Sequence, residues 1–300
     1  MTGQDRSQND FRRSPGWLPH RVLKIQSLLA CPRCRSNLSF SEQTARCVEC
    51  AVNYPITGGK IYFRQPIASV DALDGVKGVL KRLLGQSYYT IGVQLFAPTY
   101  PFNYAAAIRR NRNISDRVIV DLGCGNNRVD NDVVTLDAVD YEAVDIVADL
   151  ASLPFRSEAV DGFVSRSVLE HVPDLGAAVA EMRRCTKPGG FGLHLIPFLF
   201  PYHASPHDYQ RFTHSGAERL FTGWKLVDQR NATGPVSLLL ACLAELISVA
   251  LSFGNARIKS IVYLGACLLL FPLKYLDAPF VGRKAFLGIA PTILTVVRRL

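Results

Sequence analysis

Four cysteines carry the first chemistry in this 300-residue chain. Cys31, Cys34, Cys47 and Cys50 form a C-x2-C pair, twelve intervening residues and a second C-x2-C pair. Each pair offers two thiolates to one tetrahedral ion at about 2.3 Å, and two pairs close a four-cysteine zinc site. No thioredoxin-like βαβ pattern surrounds them, so the expected role is structural zinc rather than redox exchange. The other four, Cys124, Cys185, Cys242 and Cys267, are scattered and read as small buried hydrophobes. Met1–Ala30 contains no apolar run of signal-peptide length, so a disulfide framework is not expected and a cytoplasmic setting is.

A second constellation lies farther along. Asp121, Gly123 and Gly125 follow one apolar run, Asp137 ends a second and Asp149 a third. Glycines let backbone approach a ligand closely. Three acids at successive strand ends can accept hydrogen bonds from an ammonium, a ribose diol and an exocyclic amine. A dinucleotide would require a third Gly or Ala and a helix N-terminus aimed at pyrophosphate, but Arg128 occupies that third position.

The elements that must position these groups alternate. Strands are expected over Val118–Leu122, Val133–Asp137, Asp145–Asp149, Gly162–Ser165 and Phe191–Ile196. A helix is expected from an N-cap at Asp174 to Cys185, followed by a sharp turn at Lys187-Pro188-Gly189-Gly190. Such alternation means a mostly parallel sheet covered on both faces, with ligands bound beyond the carboxyl ends of the strands. Upstream, 1–30 reads as a loosely ordered arm ending in a short helix, 31–65 as a zinc ribbon and 66–115 as a helical linker. A ribbon of that size has no core of its own and depends on metal for stability.

Residues 118–225 resemble the class I S-adenosylmethionine-dependent methyltransferases, the type 11 group in particular. The resemblance rests on Val-Asp-Leu-Gly-Cys-Gly (120–125), Ala-Asp-Leu-Ala-Ser-Leu-Pro-Phe (148–155), Val-Leu-Glu-His-Val-Pro-Asp (168–174) and Lys-Pro-Gly-Gly (187–190). Residues 31–65 are similar to the zinc-ribbon modules that accompany or fuse to such enzymes. The resemblance implies a Rossmann-like sheet of seven strands, and a domain over 116–300. It also implies that Asp121 holds the methionine amino group of S-adenosyl-L-methionine, with Gly123 and Gly125 beneath the methionine backbone. Asp137 would take the ribose hydroxyls, Asp149 with Leu150 would border the adenine, and Ser165 would line the methionine side. Two departures stand out. Only Asn126–Asp132 separate Gly125 from the second strand, where the family has a full helix, which makes Asp140 and Asp145 alternative ribose acids. Asn127 stands where many members have a third glycine.

A sulfonium methyl is already activated, so the protein mainly aligns the acceptor. Some metal-dependent O-methyltransferases carry Glu-x-x-Glu-His after the fourth strand; here Ser167 replaces the first acid, so Glu170 and His171 are expected to shape the pocket floor or cap the next helix rather than hold a catalytic metal. The loop 201–213 should border the acceptor. His203 is the candidate general base there, with Asp208 and Arg211 as orienting or substrate-binding groups; a structural Asp208–Arg211 pair and a Thr213 helix cap are the competing reading.

Charge distribution adds the last element. The chain has 34 basic and 25 acidic residues, but 31–230 carries only +1 of the net +9, while 231–300 carries +5. That near-neutral body argues against nucleic acid as the main partner. The positive tail accompanies an apolar insert, 235–290, between expected strands at Trp224–Arg230 and Thr292–Val297. Val236–Phe253 has 14 apolar residues of 18, with Ser237, Ala241, Glu245, Ser248 and Ser252 along one stripe, and Ile261–Leu273 forms a second apolar segment. Both fall short of the ~20 residues of a bilayer span. The expectation is a helical pair in the membrane interface with Arg257, Lys259, Lys274, Arg283 and Lys284 toward headgroups, against a lid packed on the protein or on a second subunit. Together these features predict a methyltransferase peripheral to the inner face of a membrane, acting on a lipid-linked or envelope-type acceptor, with the zinc ribbon as a surface for a protein partner. An RNA methyltransferase, or a non-catalytic S-adenosylmethionine-binding module, are the alternatives.

Overall fold

Short apolar runs alternating with helices build one mixed sheet in the computed structural model, which describes residues 18–68, 79, 83–84, 92–111, 117–203 and 207–300. Strands β1 (Leu38–Phe40), β2 (Thr44–Cys47), β3 (Asn53–Thr57) and β4 (Lys60–Tyr62) come from the cysteine-rich module. They are followed by β5 (Ile119–Leu122), β6 (Val134–Asp137), β7 (Ile146–Val147), β8 (Val160–Arg166), β9 (Thr186–Pro197), β10 (Trp224–Asn231) and β11 (Thr292–Arg299). Their spatial order is β1-β2-β3-β4-β7-β6-β5-β8-β9-β11-β10. The run from β4 through β7, β6, β5, β8 and β9 is parallel, and β11 enters antiparallel between β9 and β10. The expected seven-stranded sheet with its antiparallel final strand is thus present. The ribbon continues it at one edge, because Ile61 and Tyr62 pair with Ile146 and Val147.

Both faces are covered, which is why β5, β6 and β7 are buried along their whole length. One face packs on the helix Leu175–Cys185, whose N-cap Asp174 accepts from Ala177 N at 2.9 Å. The opposite face packs on the helix Tyr104–Asn111 through Tyr104, Ala107 and Ile108. The β5–β6 connection, Gly123 to Val133, contains no helix. The Lys187–Gly190 turn is absorbed into β9 as an irregularity opposite Val160 and Gly162, with Gly189 at φ +74.

Residues 18–30 are not the end of a loose arm. Leu18, Val22, Ile25 and Leu29 are buried in the main core, and Arg21 donates two hydrogen bonds to buried Asp145 at 2.8 and 2.6 Å. The ribbon is bolted to the body in the same way: Arg35 reaches Glu181 at 3.0 Å, and Ser152 Oγ donates to Pro32 O at 2.9 Å. Residues 69–78, 80–82, 85–91 and 112–115 of the expected linker, and residues 1–17, lie outside the described residues.

The apolar insert forms an antiparallel helical hairpin, Pro235–Ser252 and Ala256–Leu270, the latter continuing as a 3-10 turn to Asp277. Asp277, fully buried, caps the first helix from a distance: Val236 N and Ser237 N donate to its carboxylate at 2.9 and 2.7 Å. Gly234 is required beside it, since a Cβ there would lie 2.3 Å from Asp277 Oδ1. The 22 residues of Ala256–Asp277 exceed the expected second segment, and both helices are long and apolar enough to cross a membrane by length and composition. The small stripe turns inward, with Ser237, Ala241, Ser248 and Ser252 buried, while Lys259 bonds Glu245 at 2.5 Å. Lys274 corrects the headgroup expectation. The 3-10 turn swings it inward, fully buried, where it donates to Ala97 O at 3.0 Å. Arg257, Arg283 and Lys284 are exposed as expected.

Candidate functional site

A cleft of about 900 Å³ opens beyond the carboxyl ends of β5, β6 and β8. Its floor is the loop after β5. Gly123 at φ +62 and Gly125 at φ +58 turn that loop back over β6, in a conformation that a side chain would strain. A Cβ on Gly123 would also lie 2.5 Å from Val168. Asp137 holds the loop, accepting from Gly125 N at 2.9 Å through Oδ2 and from Val139 N at 2.9 Å through Oδ1. Each oxygen keeps a lone pair for a ligand hydroxyl.

Asp121 lies deeper. Burial pushes its carboxyl up to about 7, against the nearby Arg166 guanidinium and a 3.4 Å hydrogen bond from Tyr104 Oη. An arriving ammonium would restore the ionised form, because an opposite charge at close range favours it. Of the expected cofactor residues, Asp121, Gly123, Gly125, Asp137 and Leu150 line this cleft. Asp149 and Ser165 do not. Asp149 turns to Arg64 Nη1 at 2.8 Å, and Ser165 Oγ lies 2.8 Å from Nδ1 of fully buried His194, whose imidazole burial holds down to about 3. Strand alternation explains Ser165: it shares the face of Phe163, so Arg166 is the neighbour that reaches the cleft. The alternative ribose acids are engaged elsewhere, Asp140 with Lys60 and Tyr62 at 2.6 and 2.9 Å. Burial opposes ionisation of Asp145, yet Arg21 and Arg128 together hold its carboxyl below the usual range.

At the other end of the cleft, His171 and His203 contribute to its wall, their rings 5.1 Å apart. His203 Nε2 faces Glu170 Oε1 at 3.3 Å, and Nδ1 faces Asp208 Oδ2 at 3.5 Å. Asp208 and Arg211 do not line the cleft; they pair with each other behind His203, whose backbone N donates to Asp208 at 2.9 Å. Thr213 caps the next helix by accepting from Gly216 N at 3.0 Å. Tyr104 and Arg166 were absent from the sequence reading. Tyr104 comes from the linker, where no motif marks it, and Arg166 was legible only from alternation along β8.

At the ribbon, the four thiols converge. Cys31 and Cys50 Sγ are 3.7 Å apart, Cys34 and Cys47 Sγ 3.3 Å, and all four lie within 4.8 Å of one another. Four sulfurs about 2.3 Å from a tetrahedral centre would be roughly 3.8 Å apart, so the donor set fits zinc. Tyr54 Oη, 3.1 Å from Cys31 Sγ, supports the site from outside.

Residues 120–193, which contain the glycine loop, β6, β8 and most of the wall, match the family described as "Methyltransferase domain". Those residues carry a methyltransferase domain. No curated protein matches the sequence. Solved structures similar to this chain include the cyclase SpnF, at 14% identity and TM-score 0.46, covering 79% of this chain and 99% of that one. Another, at 14% identity and TM-score 0.41, is from a complex between the Haloferax volcanii Trm112 methyltransferase activator and a methyltransferase, covering 77% and 98%. A third is Haemonchus contortus phosphoethanolamine N-methyltransferase 2, at 15% identity and TM-score 0.46, covering 78% and 60%.

Proposed function

We propose that this methyltransferase works at the cytoplasmic face of a membrane and methylates a lipid-linked or envelope-type acceptor. The observation that carries the reading is the hairpin's reversed polarity: Leu239, Leu246, Leu269, Leu276 and Phe253 are 59–90% exposed, while small residues fill the contact between its helices. Large exposed apolar patches mark surfaces that meet a partner or a membrane, and helix pairs in lipid pack through small residues. The hairpin base also adjoins the cleft. Ser237 Oγ accepts from Tyr100 N at 2.8 Å, and the next residues, Pro101 to Ala105, line the cavity.

In this reading the cofactor's ammonium sits at Asp121 and its ribose hydroxyls at Asp137, with the reactive methyl toward His171 and His203. S-adenosylmethionine supplies an activated methyl; the chain aligns the acceptor against it. Asp208 and Arg211 position His203. Cys31, Cys34, Cys47 and Cys50 hold a structural zinc ion, and the ribbon they stabilise offers a surface to a protein partner. The test is sedimentation of the full chain with vesicles containing anionic lipid, beside the variant L239Q/L246Q/L269Q/L276Q. Wild-type protein should bind and the variant stay in solution, with calorimetric binding of S-adenosylmethionine unchanged in both. A variant that binds vesicles as wild type does would refute the membrane reading. Radiolabelled methyl transfer into lipid, RNA and protein fractions then identifies the acceptor.

A further inference from the structure

Glu170 is the one buried carboxylate whose two oxygens both lack a hydrogen-bond donor among the described residues. Burying such a group uncompensated is costly, and the atoms that face it are ring nitrogens: His203 Nε2 at 3.3 Å and His171 Nε2 at 3.6 Å. Three ligands held about 2.1 Å from a tetrahedral centre would be roughly 3.4 Å apart, close to both separations. All three ligand atoms lie within 4.8 Å of one another.

The outer contacts match a metal site as well. His171 Nδ1 lies 2.6 Å from His207 O, a carbonyl that only accepts, so Nδ1 carries the hydrogen and Nε2 presents its lone pair inward. His203 Nδ1 is shared: Pro201 O at 3.3 Å and Asp208 Oδ2 at 3.5 Å can accept from it, while Arg211 Nη2, a donor paired to the same carboxylate, also lies 3.3 Å away. Metal-bound imidazoles characteristically direct their second nitrogen to a carbonyl or carboxylate in this way. The sequence argued against a metal because Ser167 replaces an expected acid; the fold supplies His203 instead, from 32 residues beyond His171.

We propose that Glu170, His171 and His203 bind a divalent transition-metal ion, whose open coordination position faces the cleft and takes an oxygen of the acceptor. Two imidazoles and one carboxylate suit zinc, cobalt or iron rather than magnesium, and three protein ligands leave room for a fourth. The acceptor is then an oxygen-bearing group, a hydroxyl or a phosphate-linked oxygen, that approaches between His171 and His203. Only this choice of acceptor rests on the methyltransferase reading; the ion site stands on its own geometry.

Cobalt titration of metal-stripped full-length protein tests the proposal. The first equivalent should give the thiolate charge-transfer absorption of the ribbon cysteines. A second should add weaker d–d bands without thiolate intensity, and E170Q and H203Q should each lose the second equivalent while keeping the first. Saturation of the wild type at one equivalent, or a second equivalent that survives in both variants, would overturn it. The wild-type stoichiometry decides the matter even where a variant misfolds. S-adenosylmethionine binding, measured in parallel by calorimetry, reports separately on the cofactor reading.

Discussion

The two flanks of the sheet solve opposite problems. At the ribbon edge, large side chains turn inward (Leu18, Val22, Leu29, Ile61 and Phe63 are buried) and charge is tied down in pairs such as Arg21–Asp145 and Arg35–Glu181. At the hairpin edge the order is inverted. Ser237, Ala244, Ser248 and Ala266 are inside, and Leu239, Leu246 and Leu269 are outside. Apolar content alone would class the two flanks together; the direction in which the large residues face separates them, because one flank buries its large apolar side chains and the other exposes them.

That comparison can be broken by substitution. The largest effect is expected at the ribbon cysteines. Structural zinc contributes apparent binding free energies of roughly 10–16 kcal/mol in small metal modules, so C47S or chelation should abolish cooperative unfolding of the ribbon flank, followed by circular dichroism during heating. Next, D145A should cost about 3–5 kcal/mol by leaving Arg21 and Arg128 around an empty buried site, whereas K259A, which breaks the half-exposed pair with Glu245 at the hairpin, should cost about 0–1 kcal/mol in denaturant titration. The same chemical change on the two flanks gives the sharpest contrast. L29A should destabilise by about 2–5 kcal/mol and L269A by less than about 0.5 kcal/mol in detergent-free buffer; equal losses would mean that the hairpin face is packed. The smallest effect belongs to the cleft between the flanks. With Asp121 pushed up to about 7, acidification below that value protonates it and removes the charge that the proposed cofactor site offers to an ammonium. Affinity for S-adenosylmethionine should therefore fall up to about tenfold per pH unit below 7 and level off above it, and D121N should flatten the profile in calorimetry.

The sheet, its strand ends and the cysteine cluster were legible in the sequence because each follows from local pattern. Glycines at positive φ, acids closing apolar runs and paired cysteines need no distant partner to be recognised. What escaped depends on packing between distant segments. Ser165 and Arg166 exchange places once the face of β8 is known, and Asp149 is drawn out of the cleft by Arg64 from the ribbon. Lys274 looked like a surface charge until Ala97 supplied its partner. The triad of Glu170, His171 and His203 was hidden for the same reason, since its members are adjacent only after the loop beyond β9 folds back.

The position of the hairpin in the chain has a consequence for synthesis. Because β11 lies beyond it in sequence yet sits between β9 and β10, the hairpin leaves the ribosome while that slot in the sheet is still open. Its leucines therefore meet their surroundings before the enzyme is whole. If a bilayer is their destination, the chain is captured there as a nascent product and completes its sheet at the site where it will work.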